Sequence, residues 1–245
     1  MDRRYLHLAL IFAALFGALL VSGIVGIHPS SGGDSVLPSR DAPDGAVTLP
    51  APLSGGDVPV EEALRERRSV RVYAEVPLTP ADVGQILWAA QGVTDERGYR
   101  TAPSAGALYP LEVYVVAGDV MDLEPGVYHY RPGEHLLVPT AGGDRRAALQ
   151  AAVNQTSVGE APATVVIAAV PTRTTAKYGE RGMRYVFMEA GHAAENVYLQ
   201  AEASNLGTVT IGAFDDGEVR DVLGLPENTT PFCLMPVGRP VPGRG

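Results

Sequence analysis

Residues 67–71 read Arg67-Arg68-Ser69-Val70-Arg71, three guanidinium groups and a hydroxyl within five residues. Guanidinium forks take phosphate oxygens in bidentate fashion and a hydroxyl adds one more hydrogen bond, so this run can hold an anionic ligand. The same run by itself also fits a solvated, charged helix end. A second stretch, Ala102-Pro103-Ser104-Ala105-Gly106-Ala107-Leu108-Tyr109-Pro110, sets small residues between prolines and lets backbone lie close to a flat ligand. Val237-Gly238-Arg239-Pro240 closes a strand pattern with one more arginine. Lys177-Tyr178 puts an amine beside a phenol.

Other chemistries are excluded by what the chain lacks. No G-x-G-x-x-G follows a strand pattern and no P-loop is present. The five histidines, at 7, 28, 129, 135 and 192, form no ligand-like pair on one helix face. Glu189-x-x-His192 is half of a di-iron carboxylate motif without its second copy, so no metal site is expected. The single cysteine, Cys233, lies between Phe232 and Leu234 and reads as a buried small hydrophobe. A net charge of -9, from 28 acidic against 19 basic residues, argues against a nucleic-acid partner.

The elements that must carry these groups follow from periodicity. Residues 58–67 read as a helix, and residues 79–91 as a second, with Thr79-Pro80 as cap and first turn and Val83, Ile86, Leu87 and Ala90 as its apolar face. Residues 111–117 alternate as a strand, residues 126–130 and 135–139 form a hairpin, and residues 143–154 are helical. The apolar run 163–170 is a central buried strand. The longest helix spans 183–204, followed by strand 208–212, helix 215–223 and strand 231–237. Helices and strands mix without strict alternation, which predicts an α+β fold.

Residues 5–27 hold no acidic or basic side chain except His7, and a helix of that length reaches about 35 Å, enough to span a bilayer core. Residues 1–27 are therefore expected to be a single-pass membrane anchor, with a cleaved signal peptide as the alternative. Arg3 and Arg4 would keep that end cytoplasmic and place the following domain outside the cytoplasm. Residues 28–57, rich in Pro, Gly, Ser and Asp, read as a flexible tether, residues 58–240 as one globular domain, and residues 241–245 as a tail.

Four stretches occur in order behind the arginine run: residues 103–110, Lys177-Tyr178-Gly179-Glu180-Arg181-Gly182, Glu189-Ala190-Gly191-His192 and Gly212-Ala213-Phe214-Asp215-Asp216. With them, residues 60–240 resemble the FMN-dependent nitroreductase fold, and within it the SagB-type, thiazole/oxazole-forming dehydrogenases. The resemblance implies a central mixed, mainly antiparallel sheet flanked by helices, and an obligate homodimer with the flavin at the subunit interface. It implies that Arg67, Ser69 and Arg71, with Arg68 in the same cluster, grip the flavin phosphate and ribityl chain, and that Arg239 closes on the phosphate. Pro103, Ser104, Ala105 and Gly106 of the second subunit would lie by the isoalloxazine, Gly106 standing where many nitroreductases have Asn. Gly212 and Ala213 would approach the ring from the other side.

Lys177 and Tyr178 match a pair ascribed to proton removal in azoline-oxidising relatives. The implied reaction is oxidation of a peptide thiazoline or oxazoline, with hydride passing to flavin N5. The alternatives are an NAD(P)H-dependent reductase of a small nitro or quinone acceptor, and a membrane-tethered flavin-binding protein with little turnover. The small-residue stripe Val186, Ala190, Ala193, Val197 and Ala201 on the long helix is expected to form the dimer core, or else to pack on the sheet of its own subunit.

Overall fold

The computed structural model describes residues 43–241. Seven strands form one sheet: β1 Val47–Thr48, β2 Leu111–Ala117, β3 Gly126–Arg131, β4 Leu136–Gly142, β5 Ala163–Ala169, β6 Gly207–Thr208 and β7 Thr230–Gly238, in the order β1-β4-β3-β2-β5-β7-β6. Seven α-helices accompany it: α1 Val60–Glu66, α2 Pro80–Gln91, α3 Arg146–Val153, α4 Thr156–Glu160, α5 Thr172–Tyr178, α6 Arg181–Ala203 and α7 Asp216–Leu223. The α+β expectation stands, and the sheet is simpler than expected. Every strand-to-strand ladder is antiparallel, and parallel contact is confined to the isolated bridges Ser69–Thr208 and Leu78–Val120.

All seven residues of β5 are buried, because helices cover both faces of the sheet. Val165 and Ile167 point into a core closed by α2 and α6, while Val166 and Ala168 point into a second core closed by α3 and α7. Thr79 caps α2 through a reciprocal capping box with Asp82, and the helix buries Val83, Ile86, Leu87 and Ala90 as its spacing predicted.

Helix α6 is the spine of the domain, and its small-residue stripe is the clearest outcome of packing. Val186, Ala190, Ala193, Val197 and Ala201 are all buried within their own chain, in the core under the sheet. The stripe is therefore intramolecular packing. The opposite face exposes Phe187 (59%) and Met188 (54%) and leaves Gly191, His192 and Glu195 open.

Three expectations change. Part of the tether is folded onto the domain, since Val47 and Thr48 pair with Leu137 and Leu136 and Leu49 is buried. Strand 208–212 shortens to β6, with Ile211 making one bridge to Leu234. Lys177-Tyr178, where the sequence pattern assigned no element, forms the last turn of α5, a helix whose Thr-rich sequence gives little propensity signal.

The membrane anchor ahead of the fold is also corrected. Among the described residues no helix is long and apolar enough to cross a membrane, and residues 1–27 lie outside the described residues. The membrane location and the extracytoplasmic placement inferred from that segment are withdrawn.

Candidate active site

The arginine run leaves α1 as an extended strap along the β6–β7 edge. Val70 N–H donates to Thr208 O (2.8 Å), and Ala74 N–H donates to Arg239 O (2.9 Å), so residues 67–74, 208 and 239 share one sheet edge. Gly207 permits the approach, since a Cβ there would stand 2.6 Å from Val70 Cβ. In an extended segment residues 67, 69 and 71 fall on one side and 68 and 70 on the other. Val70 is buried, while Ser69 and Arg71 are exposed.

Helix α6 supplies Tyr198 to this edge. Its hydroxyl lies 3.2 Å from Ser69 Oγ, accepts from Thr210 N–H at 2.8 Å, and its ring lies under the Arg67 guanidinium at 5.1 Å. Gly212 and Ala213 follow two residues later, both exposed. Arg68 Nη1 donates to the carbonyls of Arg65 and Arg67 and finishes α1. Arg239 is engaged too, its Nη2 standing 3.1 Å from Asp82 Oδ2.

The Pro–Ser loop builds a second cluster. Ser104 Oγ accepts from Tyr109 N–H (2.9 Å), and the short turn it encloses carries positive φ at Gly106 (64°), Ala107 (52°) and Tyr109 (45°). Glycine adopts such a φ freely, but Ala107 and Tyr109 do not, and two such residues in three is a concentration of backbone strain of the kind found where a loop is held for a ligand. A Cβ on Gly106 would stand 2.7 Å from Tyr178 Oη and 3.0 Å from Lys177 Nζ. The phenol and the amine therefore converge on the loop backbone. Lys177 Nζ lies 5.4 Å from the Tyr178 ring centroid, and Tyr185 of α6 packs edge-on against Tyr178 at 5.1 Å.

The sequence expectations thus sort into two groups. Arg67, Ser69, Arg71, Gly212, Ala213 and Arg239 meet at the β6–β7 edge beside Tyr198. Pro103, Ser104, Ala105, Gly106, Lys177 and Tyr178 meet beside Tyr185. Tyr185 and Tyr198 are 13 residues apart on α6, about 20 Å along the helix axis, so the two groups stand near opposite ends of that helix.

Comparison with known proteins now decides the family. Residues 64–239 match the Nitroreductase family. A protein of Methanocaldococcus jannaschii that carries the name nitroreductase is 50% identical over 186 residues, covering 76% of this chain and 93% of its own. A solved nitroreductase structure from Ralstonia eutropha superimposes with a TM-score of 0.71 at 29% identity, covering 80% of this chain and 90% of that one. The microcin B17-processing protein of Escherichia coli is 28% identical over 136 residues, covering 53% of this chain and 50% of its own.

The chain belongs to the nitroreductase family.

It is accordingly an oxidoreductase and an enzyme, which sets aside the reading as a flavin binder with little turnover. The arginine edge of this nitroreductase-family chain fits a flavin phosphate. Among the described residues neither Arg67 nor Arg71 has a carboxylate partner, in a chain of net charge -9.

Side chains outside the expected set also reach the two groups. Tyr198 and Tyr185 carried no signal beyond their helical positions. Glu189 lies inside a stretch that the resemblance singled out, yet no role was drawn for it. It is 2% exposed, and its carboxyl is pushed up to about 7 by burial, over the opposing influence of Ser104 and Arg100. Glu112 forms a third polar cluster with His129 (2.5 Å) and Arg173. Burial raises its carboxyl, but those two partners outweigh burial and hold it below the ordinary range. Cys233 is buried and its thiol is pushed up to about 12, so it is no nucleophile.

Proposed function

We propose that this oxidoreductase binds FMN across a homodimer, with the arginine edge of one copy facing the Pro–Ser loop of the other, and that it acts as a SagB-type dehydrogenase on a peptide thiazoline or oxazoline. The convergence of Tyr178 Oη and Lys177 Nζ on Gly106 carries this reading. Removing hydrogen from an azoline ring needs a group that takes a proton while two electrons leave, and these are the two groups placed for it. The likeness to the microcin B17-processing protein of E. coli supports a peptide substrate.

Bound FMN would supply the two-electron acceptor. Arg67 and Arg71 would hold its phosphate as charge-assisted pairs, and Ser69, oriented by Tyr198, would add a neutral hydrogen bond. The backbone at Gly212 and Ala213 leaves room for a flat ring, since the nearest atom to a Cβ on Gly212 is Phe232 O at 4.0 Å. Ser104 holds the strained turn that aims Gly106 at the proton-moving pair. Phe187 and Met188, exposed on α6 between the two residue groups, are the apolar surface a second copy would cover.

The purified full chain is expected to be yellow with an FMN spectrum and to bleach anaerobically with an azoline peptide. A colourless protein that takes up no added FMN overturns the reading. The half-identical relative that carries the name nitroreductase favours a second reading, an NAD(P)H-dependent reductase of a nitro or quinone acceptor. Bleaching by NAD(P)H with no response to the azoline peptide would select it.

A further inference from the structure

Glu189 is a buried acid that the proton-moving pair does not touch. Its Oε1 has no hydrogen-bond partner, and it lines a cleft of 280 Å³ with Pro103, Ser104, Ala105, Tyr185 and Met188. Pro103, Ala105 and Met188 make the walls of this cleft largely apolar, and Glu189 is its one carboxyl. The volume lies just below the range of small-molecule sites, enough for a single ring with its substituents.

The groups facing Glu189 decide what such a ring must carry. Arg100 acts on it as a positive charge, but that guanidinium is already bonded to Gln91 Oε1 at 2.8 Å and lies over the Tyr109 ring at 4.6 Å. Ser104 is its hydroxyl neighbour from the loop. On α6 itself Tyr185 and His192 line the same cleft, and Tyr178 of α5 packs on Tyr185. Glu112, the other carboxylate that acts on Arg100, is held by His129 and Arg173.

Burial dominates these influences, so the carboxyl keeps its proton to about pH 7. A protonated carboxyl is a hydrogen-bond donor, whereas its anion only accepts. A cationic ligand would need the charged form and would feel Arg100. An anionic ligand would carry its charge into a largely apolar cleft whose nearby cation, Arg100, is already engaged by Gln91 and the Tyr109 ring.

We propose that this cleft is the subsite for the reacting ring of the substrate, and that it takes an uncharged ring whose nitrogen or oxygen acceptor receives a hydrogen bond from the Glu189 carboxyl. The inference rests on the reading of residues 103–106 as the flavin's neighbour, and it gives that site its ligand class. An azoline nitrogen, a nitro oxygen and a quinone carbonyl all satisfy it, whereas ammonium and carboxylate ligands do not.

Acetophenone, an uncharged ring with a carbonyl acceptor and no donor, is a suitable probe, with benzylammonium as the cationic control. Calorimetric titration of the FMN-loaded full chain should show acetophenone affinity falling about tenfold from pH 6 to pH 8, the loss of the protonated form of a group titrating near 7. Glu189→Gln keeps a donor and should bind the probe without that pH dependence. Glu189→Leu should lose at least tenfold in affinity at pH 6, and His192→Gln should retain the pH dependence. In the protein without flavin, a protonated-carboxyl infrared band should titrate near pH 7 and vanish in Glu189→Gln.

A pH-independent wild type, a pH dependence lost in His192→Gln but kept in Glu189→Gln, or benzylammonium binding that exceeds acetophenone binding would each overturn the proposal. The flavin absorbance of every sample separates this failure from the other. Wild type that takes no FMN refutes the proposed function. Yellow protein with a flat acetophenone profile refutes only the role of Glu189.

Discussion

The two groups of site residues are built in opposite ways. At the β6–β7 edge the chain is extended, the strap is tied down by backbone hydrogen bonds to Thr208 and Arg239, and among the described residues two arginines stay without carboxylate partners. At the Pro–Ser loop the backbone turns tightly, with positive φ at Gly106, Ala107 and Tyr109, and Tyr178 Oη and Lys177 Nζ converge on Gly106, the lysine exposed and the phenol half-buried. An anion is held by charge on a rigid edge. Proton chemistry needs groups fixed to within a fraction of an ångström, which side-chain convergence on a strained loop supplies. On the proposed function, binding and chemistry fall at separate ends of α6, and a second copy would bring them together.

Removing the chemistry while leaving the binding should give the largest effect. Lys177→Ala and Tyr178→Phe are each expected to lower the oxidation rate about 10²–10⁴-fold, while absorbance shows FMN content unchanged. Loss of FMN from either variant would erase the contrast between the two ends. The converse change, Arg67→Ala with Arg71→Ala, should weaken FMN about a hundredfold by fluorescence titration, two charge-assisted pairs each contributing roughly 1.5 kcal/mol.

Mixing subunits sharpens the same comparison. The double arginine variant and Gly106→Val, each inactive alone, should regain activity when refolded together, because one hybrid site then holds an intact edge and an intact loop. No recovery would place both halves of each site in a single chain. Gly106→Ala should be milder, costing about 1–3 kcal/mol of stability through its positive φ and the 2.7 Å approach to Tyr178 Oη.

The smallest expected effect concerns pH. The Glu189 carboxyl is raised from 4.5 to about 7, so the folded protein holds its proton more tightly than the unfolded chain. Its contribution to stability is complete below pH 4.5 and is lost as pH rises through 7. Thermal midpoints should therefore fall from pH 6 to pH 8 in the wild type, and less in Glu189→Gln.

The legibility of these features in the sequence follows their range. Helix α2 was readable because its cap, its first-turn proline and its apolar spacing are all local. The buried strand β5 was readable from one apolar run, and only its antiparallel ladders with β2 and β7 were not. The stripe on α6 could be seen but not its partner, since small buried residues look the same whether they meet their own sheet or a second copy. The contacts of Arg68 with the last carbonyls of α1 and of Arg239 with Asp82 were not legible, since the fold sets both partners.

By itself the sequence determined the residue types and their order: the arginine–serine run, the Pro–Ser loop, the Lys-Tyr pair and the helices and strands that carry them. These are local quantities, set by side-chain chemistry and by the 3.6- and 2-residue periods. Only the tertiary structure decided which groups meet. It set Tyr178 Oη and Lys177 Nζ against Gly106, Tyr198 beneath Arg67, and a buried glutamate with one unpartnered oxygen beside the loop. Proximity across scores of residues, and the withdrawal of water that holds Glu189 neutral, exist only once the chain is packed.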